Sequence, residues 1–210
     1  MTSFDAAVFV VDDDPLIRDA LEQLIKSVGL KAFTFSSARE FLEKELPDEP
    51  CCLILDIRMP GLSGLDLQDE LAKRGLTIPV IFITGHGTVP TSVRAMKAGA
   101  VDFLQKPFED QELLDAIHKA IDQNRQTRKE QSEISEIKRR VESLTPREYE
   151  ILVLVATGML NKQIAYELKI SERTVKAHRK QVFDKMNVSS IAELVRMTEK
   201  VGVKPADVSF

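Results

Sequence analysis

The chain has 210 residues, enough for one large domain or two ordinary ones, and the usual domain size favours two. With 43% hydrophobic and 30% charged residues it has a soluble globular composition, and it holds neither an apolar run of membrane-spanning length nor a signal-like N-terminus, which predicts a cytoplasmic chain with no membrane contact. The net charge of −4 is uneven: from residue 143 onward eleven basic residues face eight acidic ones (+3), leaving eighteen against twenty-five (−7) before it, so the two halves are expected to meet different partners.

Residues 6–11 are an apolar run that stops at Asp12, Asp13, Asp14 and Pro15, placing acids at the carboxyl end of a strand. Three adjacent acids repel one another and need compensation. Apolar positions 17, 21, 24, 25 and 28 then follow helical spacing up to Gly29, a C-terminal cap. An apolar stretch at 32–35 and a helix at 38–46 come next. The run Leu53-Ile54-Leu55 suits a strand buried on both faces and ends at a single acid, Asp56, before a turn at Pro60, Gly61 and Gly64. Taken alone, Asp56 reads as an acid capping the next turn. The adjacent Cys51 and Cys52 cannot staple distant parts of a fold and read as small buried residues.

A helix at 65–74, a strand at 80–83 ending in Thr84-Gly85-His86-Gly87, a helix at 89–98 stopped by Gly99, a strand at 101–104 ending in Gln105-Lys106-Pro107-Phe108 and a helix at 113–121 complete the first half. Five alternations of strand and helix predict an α/β unit, a doubly wound five-stranded parallel sheet with helices on both faces. Such a sheet collects Asp12, Asp13, Asp56, Thr84 and Lys106 at one edge, where open α/β sheets bind ligands. Three carboxylates make a hard-oxygen site suited to Mg²⁺, Lys106 offsets remaining charge, and a carboxylate so placed is a candidate acceptor of a phosphoryl group. Thr84 read alone is a helix N-cap and Phe103 a core residue. His86 reads as a loop residue, since no nucleophile accompanies it.

Asp12-Asp13, the run Asp56-Ile57-Arg58-Met59-Pro60-Gly61, Thr84 and Lys106-Pro107 together resemble the receiver domain of two-component response regulators over residues 5–123. The strings at 84–87 and 93–100 are similar to its FixJ-like subgroup. The resemblance implies a flavodoxin-like fold with Asp56 as phosphoacceptor. It implies Asp13 and Asp56 as direct Mg²⁺ ligands, Asp12 acting through water and Arg58 through its backbone carbonyl. It also implies Thr84 and Phe103 as a switch pair, Lys106 as the phosphate-binding lysine, and a cis Lys106-Pro107 bond.

Residues 122–133 lose their apolar stripe, and Ile134, Ile137, Val141 and Leu144 resume at helical spacing with no Gly or Pro between 111 and 144. This predicts a long, partly exposed helix, with a short coiled-coil contact as one use of the stripe. Thr145, Pro146 and Glu148 then read as N-cap, first helical residue and capping-box acid. Short helices at 149–157 and 161–168, a turn at Lys169-Ile170, a Ser171-capped helix running to 186 and a last helix at 191–200 form a small all-α, four-helix helix-turn-helix unit. Val175, Val182 and Met186 make the apolar stripe of its third helix, directing Thr174, Lys176, Arg179 and Lys180 outward with His178 on the flank.

Residues 143–200 resemble the DNA-binding domain of the NarL/LuxR family through the strings at 144–148, 161–165 and 171–178. The resemblance implies Lys176, Ala177 and Lys180 as base-facing and Lys162, Thr174 and His178 as backbone contacts; Arg179 joins them as a basic candidate. Ile191 stands where the family commonly has arginine, which puts one phosphate contact in doubt. The expected organisation is a receiver at 1–123, a helical linker at 124–142 and a DNA-binding domain at 143–210. The expected function is a non-enzymatic regulator that is phosphorylated on Asp56 by a sensor histidine kinase, forms a homodimer, binds double-stranded DNA and activates transcription through RNA polymerase. Two other readings are an aspartyl-phosphate phosphotransferase, which needs a general acid where Arg58 stands, and a protein-interaction module whose helix-turn-helix does not touch DNA.

Overall fold

The computed structural model describes residues 6–85 and 89–203; His86 and Gly87 of the expected loop lie outside them. The chain divides into two compact units, Met1–Arg128 and Lys129–Phe210.

The first unit holds strands β1 (Ala7–Val11), β2 (Lys31–Phe35), β3 (Cys51–Asp56), β4 (Val80–Thr84) and β5 (Asp102–Gln105). They form one sheet in the order β2-β1-β3-β4-β5, every pairing parallel. The three central strands are buried along their whole length, so their sequences run apolar without alternation. Edge strand β2 alternates exposed and half-buried positions instead and ends on buried Phe35. On β3, Cys51, Leu53 and Leu55 pack into one apolar layer while Cys52 and Ile54 pack into the other. The first layer is covered by α2 (Ala38–Leu42), α3 (Gly64–Lys73) and α4 (Val89–Lys97) through Phe41, Leu67, Leu71 and Ala95. The second is covered by α1 (Pro15–Ser27) and α5 (Asp110–Glu142) through Leu21, Ile25, Leu113 and Ile117.

Local chemistry sets the helix ends. Asp14 caps α1 by accepting from the Leu16 N–H at 2.8 Å, and Gly29 takes a left-handed φ of +82° beyond its end. Helix α2 is shorter than the expected 38–46 and stops at Leu42. The Lys44 N–H turns back to the Phe41 carbonyl, and Leu46 precedes Pro47, whose ring disfavours helical backbone at the residue before it. Leu42 and Leu46 nevertheless pack against the core.

Helix α5 is 33 residues long and contains the expected linker stretch 124–142. The division between the units falls inside that stretch, and its two ends pack differently. Asn124, 3% exposed, accepts from the Cys51 N–H (3.0 Å) and donates to the Thr77 carbonyl (3.2 Å); Arg128 pairs with Asp48. Farther on, Ile137 is buried in the core of the second unit with Val141 and Leu144 against it, so these positions of the stripe serve that core.

The second unit adds α6 (Pro146–Ala156), α7 (Asn161–Glu167), α8 (Glu172–Met186) and α9 (Ile191–Lys200). Thr145 and Glu148 form a reciprocal capping box at α6. Glu148 is 3% exposed and also accepts from Lys185 Nζ at 2.6 Å, which joins α6 to α8. This ion pair and the Thr145 bonds hold the Glu148 carboxyl below its ordinary range, against the opposing effect of burial. Between α7 and α8 the chain turns through Lys169 at φ +52°, and Ser171 caps α8. Val175, Val182 and Met186 of α8 are fully buried. Among the described residues no helix is long and apolar enough to cross a membrane.

Candidate functional site

Register brings the acids together. Val11 lies beside Leu55, so the residues that follow, Asp12 and Asp56, emerge as neighbours at the same sheet edge. Both are buried, at 1% and 5% exposure. Lys106 reaches them from the loop after β5: its Nζ donates to Asp12 Oδ2 at 2.6 Å and to Asp56 Oδ1 at 2.8 Å. The Lys106 N–H donates to the Thr84 carbonyl at 2.8 Å, fixing that loop on the end of β4, and the Lys106-Pro107 bond is cis, as the resemblance implies.

Each carboxylate has a second anchor. Asp12 Oδ1 accepts from the Asp14 N–H (2.9 Å) and Asp56 Oδ2 from the Arg58 N–H (2.6 Å). Burial pushes the Asp56 carboxyl above its usual range and the nearby Asp12 adds to this, while Lys106 and the Arg58 N–H oppose it without cancelling it. Burial works against the Lys106 ammonium too, but the hydrogen bonds and charges of Asp12 and Asp56 prevail and raise its pKa. The mutual repulsion of acids is thus relieved by Lys106 and by backbone N–H groups.

Asp13 is exposed beside this pair. Among the described residues no three His, Cys, Asp or Glu side chains form a cluster ready to hold a metal, so the expected three-carboxylate set is brought together only as the pair Asp12 and Asp56. That pair still fits Mg²⁺, which keeps several waters and takes one or two carboxylates. It does not fit a softer metal that needs sulfur or imidazole ligands.

Thr84 is buried at the end of β4, and α4 begins only at Val89, so Thr84 is not that helix's N-cap. Phe103 pairs with Phe82 and Thr84 with Gln105, which puts Thr84 and Phe103 on one face of the sheet, with Phe103 half-buried and not plain core. Cys51 and Cys52 are free and buried, and burial pushes the Cys51 thiol up to about 11.

Two residues of this edge were not legible in the sequence. Arg18 donates from Nη1 to the Asp12 carbonyl at 2.7 Å, a second cation beside the acids, from a helix position that spacing marks only as polar. Gly64 is the first residue of α3 and not simply a turn glycine. A Cβ there would lie 2.2 Å from the Asp56 carbonyl oxygen, and the Gly64 N–H donates to the Ile57 carbonyl at 3.1 Å.

In the second unit Lys162, Lys176, Ala177 and Lys180 are exposed, as expected, and Thr174 is half-buried with its hydroxyl 2.8 Å from that of Ser171. His178 is half-buried, its Nδ1 enclosed without a hydrogen-bond partner. Arg179 departs from the expected outward orientation: its guanidinium turns back to Asn161 and the Phe183 ring. The helical wheel places its Cα outward, but the side chain is long enough to fold along the helix.

A parallel sheet of this order with a lysine bridging two strand-end aspartates, on one chain with a helix-turn-helix, defines the class of phosphorylation-responsive DNA-binding regulators. Comparison with known proteins narrows the class: the chain belongs to the response regulator family, residues 8–118 matching the response regulator receiver domain and residues 142–198 the bacterial regulatory proteins of the luxR family. It is 53% identical to nodulation protein W of Bradyrhizobium diazoefficiens over 96% of this chain and 88% of that one. It is 48% identical to response regulator protein TodT of Pseudomonas putida, again over 96% and 88%. Among solved structures it is similar to response regulator StyR, with a TM-score of 0.85 and 47% identity over 93% of this chain and 99% of that one. The protein is therefore a two-component response regulator, a transcription regulator with a receiver and a LuxR-type DNA-binding domain, and its class of partners is a sensor kinase and DNA.

Proposed function

We propose that Asp56 accepts a phosphoryl group from the histidine of a sensor kinase. The phosphorus–nitrogen bond breaks as the Asp56 oxygen–phosphorus bond forms, leaving a neutral histidine and an acyl phosphate. The observation that carries this reading is the Lys106 ammonium held at 2.6 and 2.8 Å between Asp12 and Asp56. The acyl phosphate carries about two negative charges where the carboxylate carried one. Lys106 would pass from neutralising the carboxylate to binding the new phosphoryl oxygens, and the Thr84 hydroxyl would join it as donor.

Asp12, Asp13, Asp56 and the Arg58 carbonyl would hold Mg²⁺, which when bound offsets the charge on the transferring oxygens. Movement of Thr84 toward the phosphate, followed by Phe103 on the same face, would reshape the α4 and β5 surface and favour a homodimer. Two joined reading heads gain effective concentration on adjacent half-sites. Lys176, Ala177 and Lys180 would face bases and Lys162, Thr174 and His178 the backbone, and recruitment of RNA polymerase would make the regulator an activator. In this reading the receiver role lies in 1–123, the linker in 124–142 and the DNA-binding role in 143–210. The chain works in the cytoplasm and turns over no outside substrate.

The test supplies Mg²⁺ and a small phosphodonor to the wild type and to Asp56→Asn, followed by intact mass. Labelling of the wild type alone supports the reading, and equal labelling of both removes Asp56 from its role.

A further inference from the structure

Asn161 and Arg179 form the one polar link described between the side chains of the two helices that make the helix-turn-helix. Nη1 of Arg179 donates to Asn161 Oδ1 at 2.5 Å, and the guanidinium lies 6.0 Å from the centre of the Phe183 ring, one turn along α8. Phe183 in turn packs against the core of the second unit. Asn161 is the first residue of α7, at the end away from the turn, and Arg179 sits midway along α8. The turn alone joins the helices at one end. A bond from the far end of α7 to the middle of α8 closes a triangle and fixes the angle between them.

The neighbours of this strut are the exposed lysines. Lys162 follows Asn161, while Lys176 and Lys180 lie one turn before and one residue after Arg179. The angle between α7 and α8 therefore sets the spacing between Lys162 and the two α8 lysines. Nη1 of Arg179 is committed to Asn161 and its guanidinium lies over Phe183, so a direct phosphate contact would have to use the remaining N–H donors.

We infer that Arg179 is a positioning residue: it acts on DNA through Asn161, holding α7 and α8 so that Lys162 and the pair Lys176 and Lys180 engage one duplex together. The inference rests on the proposed reading that α8 faces DNA. It separates from a direct contact by salt dependence, because each phosphate contact contributes about 0.9 to the slope of log affinity against log salt.

The experiment uses the full chain and a duplex selected by the wild type from a random-sequence pool, with an unselected random duplex beside it. Arg179→Leu, which keeps an apolar side chain against Phe183, and Asn161→Ala should each bind the selected duplex about tenfold more weakly. The double variant should be no weaker than either single one. The two single variants should share one salt slope and lose more on the selected duplex than on the unselected one. A slope lower by about 0.9 in Arg179→Leu than in Asn161→Ala, wild-type affinity in Asn161→Ala, or additive losses in the double variant would overturn the inference. If Arg179→Leu melts too low to assay, Asn161→Ala alone decides: weaker selected binding supports the strut, and wild-type binding overturns it. Lys176→Ala and Lys180→Ala in the same assay keep the two failures apart, since wild-type binding by both defeats the reading of α8 itself.

Discussion

Replacing Gly64 with alanine tests how tightly the phosphoacceptor strand is held. The added Cβ would stand 2.2 Å from the Asp56 carbonyl oxygen and 3.1 Å from its carbonyl carbon and the Ile57 Cα, where real Cβ contacts essentially never fall below 3.0 Å. The pair must part by about 0.8 Å, and both sides are backbone with no side chain to swing away. Two effects compete. Alanine removes unfolded-chain freedom, which stabilises by about 0.4–1 kcal/mol, while overpacking a closed site costs about 1–3 kcal/mol. The clash prevails, and the expected result is a net loss of about 1–2 kcal/mol in urea unfolding.

The larger effect should be on chemistry, because a misplacement near 1 Å lowers a positioned reaction about 100-fold. Aspartyl-phosphate formation from a small phosphodonor should therefore fall by one to two orders of magnitude in Gly64→Ala. Ser63→Ala is the control: it removes the N-cap of α3 at about 1 kcal/mol and leaves the Asp56 carbonyl untouched, so it should lose stability but keep its phosphorylation rate. Wild-type rates in Gly64→Ala would refute the reasoning, since they would mean that the strand end yields without moving the carboxylate.

Asp56→Asn should melt higher than the wild type at neutral pH. The carboxyl is raised in the folded state, so its ionisation works against folding above that raised pKa and ceases to matter below the ordinary 3.8; the advantage should shrink on acidification, and melts at pH 7 and pH 4 check it. Glu148 has the opposite sign: its folded pKa is depressed, so its contribution is present above the ordinary 4.5 and lost as pH falls through the folded value. Glu148→Gln should flatten the acid limb of the second unit's stability, read by hydrogen exchange. Asn124→Ala leaves the buried Cys51 N–H without its partner and should cost about 1–3 kcal/mol in urea unfolding of the first unit. Ile137→Ala should destabilise the second unit by about 2–4 kcal/mol while phosphorylation of Asp56 keeps its rate.

These residues also mark what sequence can carry. The strand-end acids were legible because a strand buried on both faces runs apolar until its chemistry begins, as Leu53 to Asp56 does. The N-caps of α6 and α8 were legible because they satisfy backbone N–H groups two or three residues away. Gly64 and Arg18 owe their importance to approaches across the fold, to Asp56 and to Asp12, which no local pattern encodes. Asn124 lies in a polar stretch and looks solvated; only the Cys51 N–H and the Thr77 carbonyl, brought to it by the fold, make it a buried clamp. The stripe at 134–144 was visible, but its partner was not, because a stripe says only that an apolar surface will cover it.

That helix has a consequence for recombination among modular regulators. Residues of α5 through Arg128 close the first core, and those from Ile137 close the second. A chimera joined at residue 143 would graft a foreign isoleucine position into the second core, whereas a junction between 129 and 132 would carry each core away whole. Exchange of output domains should therefore succeed or fail according to where in α5 the splice falls, even when both parents are sound.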